Sequence, residues 1–120
     1  MTADEAIIRE TYDAFNARDV EGALRNLDDS VSWADGEGGM LEGKSEVRKH
    51  WLKQWKEADP RIEITKTTRT ADAVVLSVRL RARGPNGAIT QNDLDNVIRI
   101  ENGRIQEMRI PSAKGAATSS

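Results

Sequence analysis

The chain has 120 residues, 38% hydrophobic and 32% charged, with a formal net charge of −2. That length fits one compact domain, and the composition is globular rather than disordered. The slightly acidic balance argues against a nucleic-acid partner, no apolar run approaches the ~20 residues of a membrane helix, and the absence of Cys excludes disulfides, thiolate metal sites and cysteine nucleophiles.

No basic stretch followed by an apolar run opens the chain, so no signal peptide is read there and the cytoplasm is the expected location. Thr2 and Glu5 have capping-box spacing, and Ile7, Ile8, Thr11, Tyr12 and Phe15 share one face of the helix behind them. Asp19 is placed to cap a short second helix carrying Ala23, Leu24 and Leu27. Ser30 to Asp35 has a period of two, with Val31, Trp33 and Asp35 on one side. It then meets four glycines between Gly36 and Gly43, which read as a mobile loop. Ser45 to Ala58 reads as a third helix with an apolar stripe of Val47, Trp51, Trp55 and Ala58, stopped by Pro60.

From Arg61 onward the period is two. Ile62 and Ile64 alternate with Glu63 and Thr65, and Val74, Leu76, Val78 and Leu80 alternate with Val75, Ser77, Arg79 and Arg81. A turn at Gly84 to Gly87 leads into a strand from about Ile89 to Ile100, with Leu94, Ile98 and Ile100 in phase. Asn102-Gly103 marks a hairpin into a last strand holding Ile105, Met108 and Ile110. A symmetric turn sets Arg79 opposite Asp93 and Ser77 opposite Asp95, on an outer face that also takes Thr65, Thr67, Arg81 and Arg99. Residues 1–110 read as one domain and 111–120 as a frayed tail. Helices come first and antiparallel strands last, the α+β order.

The segments IRETYDAFNARDVEGALRNLDDSVSWAD, LEGKSEVRKHW and DNVIRIENGRIQEMRI, in this order, resemble the nuclear transport factor 2-like superfamily. That superfamily includes ketosteroid isomerases, SnoaL-type polyketide cyclases and limonene epoxide hydrolases. The resemblance runs from about Ala6 to Ile110. It implies a cone-shaped half-barrel in which three N-terminal helices pack on a curved, mostly antiparallel sheet around a pocket, usually in a homodimer joined through the sheet. It implies two functions of different kinds. One is acid–base isomerisation or cyclisation of an apolar carbonyl compound, without metal or cofactor. The other is a noncatalytic domain that binds a small apolar or aromatic ligand in the same cavity.

The resemblance gives Asp35 the place of the isomerase proton-shuttling base, beside an apolar wall that raises its pKa; an Asp-Gly turn is the competing role. Asn96 falls near the acid that donates a hydrogen bond in the isomerases. It either polarises a carbonyl or is a structural Asn bonded to backbone, and a one-residue slip puts Asp95 there instead. Asn92 shares its phase. Thr11 holds the position of the isomerase tyrosine and Tyr12 follows it, which leaves one oxyanion donor misplaced. Trp33, Trp51 and Trp55, with Tyr12 and Phe15, form either an aromatic ligand wall or ordinary core. His50, the only histidine, and Gln54 flank the third helix's stripe, as pocket groups or as half-exposed surface.

Overall fold

The computed structural model describes residues 2–111, so all but the first residue of the expected frayed tail lies outside the described residues. Helix α1 (Ala3–Asn16) opens on the expected capping box: Glu5 N–H donates to Thr2 Oγ1 at 3.1 Å and Thr2 N–H to Glu5 Oε1 at 3.2 Å. The face of Ile8, Thr11, Tyr12 and Phe15 is buried. Asp19 caps α2 (Val20–Leu24) by accepting from Gly22 N–H at 3.0 Å. Strands β1 (Leu27–Ala34) and β2 (Met40–Glu42) follow, then α3 (Lys44–Glu57) and the meander β3 (Arg61–Arg69), β4 (Val74–Arg83), β5 (Ile89–Glu101) and β6 (Arg104–Arg109).

The six strands form one curved, unclosed sheet in the order β2-β1-β6-β5-β4-β3. Only the β1–β6 pair is parallel; the other pairs are antiparallel. The β4–β5 register is the expected one, with Arg79 opposite Asp93 and Ser77 opposite Asp95. Arg79 Nε meets Asp93 Oδ1 at 3.1 Å, and Ser77 Oγ donates to Asp95 Oδ1 at 3.2 Å. Asp95 is therefore on the outer face, and Asn96 is on the inner one.

Three sequence expectations change. Leu27 belongs to β1, paired with Ile105, because α2 ends after one turn and a half and the chain reaches the sheet earlier. The glycine-rich segment is not loop throughout. Met40–Glu42 pairs with Ser32–Ala34 as a short edge strand, so β1 and β2 form a hairpin whose turn is confined to residues 35–39. Thr67 is not on the outer face: the register shifts between Ile64 and Lys66, the extra residue is Thr65, and Thr67 comes round to pair with Leu76. A second shift between Arg99 and Ile100 explains why Ile105 and Met108, three residues apart, are both buried.

The core lies between the inner sheet face and α1 and α3. Trp51 is its centre, 2% exposed, with ring centroids 5.6 Å from Phe15 and 5.3 Å from Trp33 in edge-to-face arrangements. One polar link was not visible in the sequence pattern. Asn16, the last residue of α1, donates from Nδ2 to Ile62 C=O at 2.7 Å and accepts from Ile62 N–H on Oδ1 at 2.9 Å. The amide satisfies both backbone groups of an edge-strand residue and ties α1 to β3. Replacing it leaves a half-buried N–H and C=O unpaired, so Asn16→Ala is expected to lower unfolding free energy by about 1–3 kcal/mol. Urea denaturation measures this, and a loss under ~0.5 kcal/mol would show that packing alone holds the junction.

Candidate functional site

The helices cover only part of the concave sheet face. Past the Trp51 cluster the sheet curves away and leaves a cavity of about 410 Å³, which falls in the usual range for small-molecule sites. Phe15 of α1, His50 and Gln54 of α3, Ile62 of β3, and Val78 and Leu80 of β4 form one side. Asn92, Leu94 and Asn96 of β5, with Met108 and Ile110, form the other. Asp35, Gly36, Gly38, Gly39 and Met40 rim it. A smaller inner pocket of about 50 Å³ shares Phe15, Gln54, Ile62, Asn96 and Met108 with it and adds Thr11, Tyr12, Trp33 and Trp51.

The deep end is polar at one point. Asn96 is 4% exposed, and its Nδ2 donates to the Tyr12 hydroxyl at 2.8 Å. Among the described residues, buried Asn96 Oδ1 has no hydrogen-bond partner. Burial pushes the Tyr12 phenol pKa well up, only partly offset by the Asn96 bond, so the hydroxyl stays protonated. This corrects the expectation of a misplaced tyrosine. Thr11 turns its hydroxyl back to Ile7 C=O at 2.9 Å, the bond a helical Thr makes with its own helix. Tyr12 is the residue that reaches β5. Both side chains line the inner pocket because helix α1 lies with that whole edge against the sheet.

The rim carries Asp35, one residue past the end of β1. Its Oδ1 accepts from Glu37 N–H at 2.6 Å and from Gly39 N–H at 3.0 Å. Those two bonds, foremost that from Glu37, hold its carboxyl below the usual range, and the nearby His50 adds a smaller pull in the same direction. The expected upward shift is thus reversed: the carboxylate is solvated and hydrogen-bonded rather than pressed against an apolar wall. The glycines serve this clamp. Gly36 and Gly38 have φ of +86° and +94°, and a Cβ on Gly39 would sit 2.7 Å from Asp35 Oδ2.

The remaining expected residues divide. Trp33, Trp51 and Phe15 line the inner pocket, and Gln54 lines both cavities. His50 is half-buried on the outer cavity, and Asn92 lies there on an exposed stretch of β5. Trp55 lines neither. It packs on Phe15 with centroids 5.4 Å apart, beneath the Arg18 guanidinium at 5.7 Å. A helix turns by ~100° per residue, so the Trp51–Trp55 stripe drifts off the cavity within one turn. Met40 was not singled out by sequence, and Met108 and Ile110 were read only as residues of the last strand, not as cavity lining; an edge strand and a bulge hid their facing. Among the described residues no group of three or more His, Cys, Asp or Glu is placed to hold a metal, and no helix is long and apolar enough to cross a membrane.

No curated protein sequence matches the chain. Solved structures do. A nuclear transport factor 2-like protein of unknown function from Burkholderia pseudomallei is 25% identical, with coverage of 98% of this chain and 97% of that one and a TM-score of 0.80. A Mycobacterium tuberculosis protein crystallised with estradiol-17β-hemisuccinate is 17% identical over 92% of this chain and 94% of that one, with a TM-score of 0.83. A Δ5-3-ketosteroid isomerase from a Mycobacterium species is 16% identical over 92% of each chain, with a TM-score of 0.80. These likenesses give the fold. The model of the SnoaL-like domain matches residues 8–108, nearly the whole described chain and every element that shapes the cavity, and the protein belongs to that family.

Proposed function

We propose that the protein binds a flat, largely apolar small molecule bearing one oxygen function, and that it isomerises or cyclises this molecule by acid–base chemistry. The observation that carries this reading is the buried Tyr12–Asn96 pair, which leaves an unpartnered amide oxygen in the lining of an apolar cavity. Buried polar atoms are normally paired within the protein, so an orphan at the base of a pocket fits a ligand group. Tyr12, whose O–H the Asn96 bond leaves free, donates to and polarises the ligand oxygen, Asn96 holds Tyr12 in place, Trp33 and Trp51 pack against the ligand's body, and Asp35 at the rim moves the proton. The estradiol ester held by the M. tuberculosis protein and the isomerase activity of the mycobacterial enzyme support a ligand of this shape.

A second reading, binding without chemistry, is favoured by Asp35 itself. A carboxylate that accepts two backbone N–H bonds and has a lowered pKa is a weaker base than a desolvated one. Asp35→Asn separates the readings, because an amide oxygen still accepts the two N–H bonds while the base is lost. With flat cyclic ketones as substrates, turnover is expected to fall by ~100-fold or more while affinity stays within a few fold. Equal turnover excludes Asp35 as the base. Binding without turnover in either protein leaves the noncatalytic reading.

The same carboxylate carries a pH signature. Its pKa is depressed in the folded protein, so its contribution to stability is present above the unfolded-state pKa and is lost as pH falls through the folded value. The difference in melting temperature between wild type and Asp35→Ala is expected at neutral pH and should shrink as pH falls below the ordinary carboxylate range and through the lowered folded-state value. A difference that persists in acid would show that the clamp does not depend on charge.

We also propose a homodimer joined through the outer sheet face. Ion pairs such as Arg79–Asp93 and Arg99–Glu101 put both signs on this face and offer self-complementary pairing across a two-fold axis. Sedimentation is expected to show a dimer at micromolar concentration, and monomer alone would reject it.

A further inference from the structure

Resting on the reading that Asp35 moves a proton at the rim, we infer that His50 is a second proton carrier there: Asp35 removes a proton from the ligand, and His50 delivers a different one, drawn from solvent. The basis is where His50 stands. It projects half-buried from the second turn of α3 and lines the cavity of about 410 Å³ together with Asp35, Met40 and Gln54. It also lines an open groove formed by Leu41 of β2 and by Glu46, Lys49 and Lys53 of α3. Of the residues bordering these two spaces, His50 alone borders both. An imidazole carries two distinct ring nitrogens, so a ring in that wall can gain a proton on one side and give one on the other.

The other charged or titratable groups around these spaces do not fill the role. Asp35 accepts from Glu37 and Gly39 N–H on Oδ1 and is held ionised at neutral pH, so it meets the ligand with no proton to give. Glu46 spends Oε1 on Glu42 N–H at 2.7 Å. Lys49 and Lys53 border the groove and not the cavity. Arg109 borders the cavity, but a guanidinium does not give up its proton in a protein. Tyr12, at the deep end, keeps its proton because burial raises its pKa. Imidazole is the side chain that exchanges protons near neutral pH. For an unsaturated ketone the steps balance as follows. The Asp35 carboxylate takes a proton from the carbon beside the carbonyl, and the C–H electron pair passes into the enolate. The enolate π electrons then form a new C–H bond at the distal carbon with a proton from the His50 imidazolium, and the ring is left neutral. Water in the groove restores the proton to His50, and Asp35 releases its own to water. The ligand is rearranged, with one proton taken up and one released.

The test follows the full chain in heavy water with a bicyclic β,γ-unsaturated ketone (octalone) as the probe, and reads both its conversion to the conjugated form and the isotope at the new C–H bond. With His50 as the donor, the product is expected to carry solvent deuterium. A single carboxylate that carried the proton across would instead leave the probe's own hydrogen there. His50→Gln is expected to lower turnover by ~100-fold, the scale of general acid catalysis, and to leave the probe's own hydrogen in the residual product. His50→Ala is expected to regain turnover as imidazole is added to the buffer, a response that a merely structural role for the ring would not give. A wild-type product that retains its own hydrogen overturns the inference and leaves Asp35 as the only carrier. A folded His50→Gln with unchanged turnover and unchanged label also overturns it, again with the role of Asp35 intact. If wild type does not convert the probe, the catalytic reading falls and takes the inference with it. The label in the wild-type product bears on the inference even if neither variant folds.

Discussion

Trp51 is the packing constraint on which the rest of the molecule depends. It projects from the middle of α3 into the concave face of the sheet and meets Phe15 from α1 on one side and Trp33 from β1 on the other, edge to face with both. Such aromatic contacts contribute about 0.5–1.5 kcal/mol each beyond the area they bury. More important is their span. One indole joins a helix, a strand and a second helix, so the distance at which α1 and α3 stand off the sheet is set by ring dimensions. Smaller core residues (Ile8, Val31, Val47, Leu76 and Ile98) close the space on one side of it. Beyond it the sheet continues, the helices end, and the cavity remains.

The cavity inherits a division of chemistry from that geometry. Its deep end is bounded by elements that cannot move without disturbing the core, α1 at Tyr12 and β5 at Asn96, whose side chains are hydrogen-bonded to each other. Its rim is bounded by a hairpin turn and by the solvent-facing flank of α3, where Asp35, Gly39 and His50 lie. A polar group at the deep end interacts in a low-dielectric setting and discriminates strongly, because water cannot replace a missing partner. A carboxylate at the rim keeps its charge, because water and two backbone N–H groups stabilise it. A buried hydrogen-bonded pair and a solvated carboxylate thus stand at opposite ends of one space.

Much of the fold was legible because burial follows simple periods. The capping box at Thr2 and Glu5, the apolar face of α1, and the β4–β5 register that sets Arg79 against Asp93 all follow from local spacing. Asn96 was half legible for the same reason: it shares the phase of Leu94 and Ile98, but only the observed β4–β5 register excludes the one-residue slip that would bring in Asp95. The failures occur where one extra residue breaks the period. Thr67 and Met108 both lie just past a bulge, and a bulge is a tertiary event, produced by the curvature the sheet needs to wrap the helices. Tyr12 was misjudged differently. Which of two adjacent helical residues reaches a cavity depends on the rotation of the helix about its axis, and no periodicity encodes that.

The sequence by itself determined the α+β order, that helices precede a meander, that Val31 and Trp33 share one phase, and that Leu94 and Ile98 share another. These are consequences of side-chain period, capping and turn chemistry, which act over a few residues. Only the tertiary structure decided that Tyr12 and Asn96, 84 positions apart, share a hydrogen bond, that Asp35 is clamped by its own turn, and that Trp55 serves packing against Phe15 and Arg18. Hydrogen bonds and desolvation act over a few ångströms, and at that distance the outcome is set by which surfaces the fold brings together.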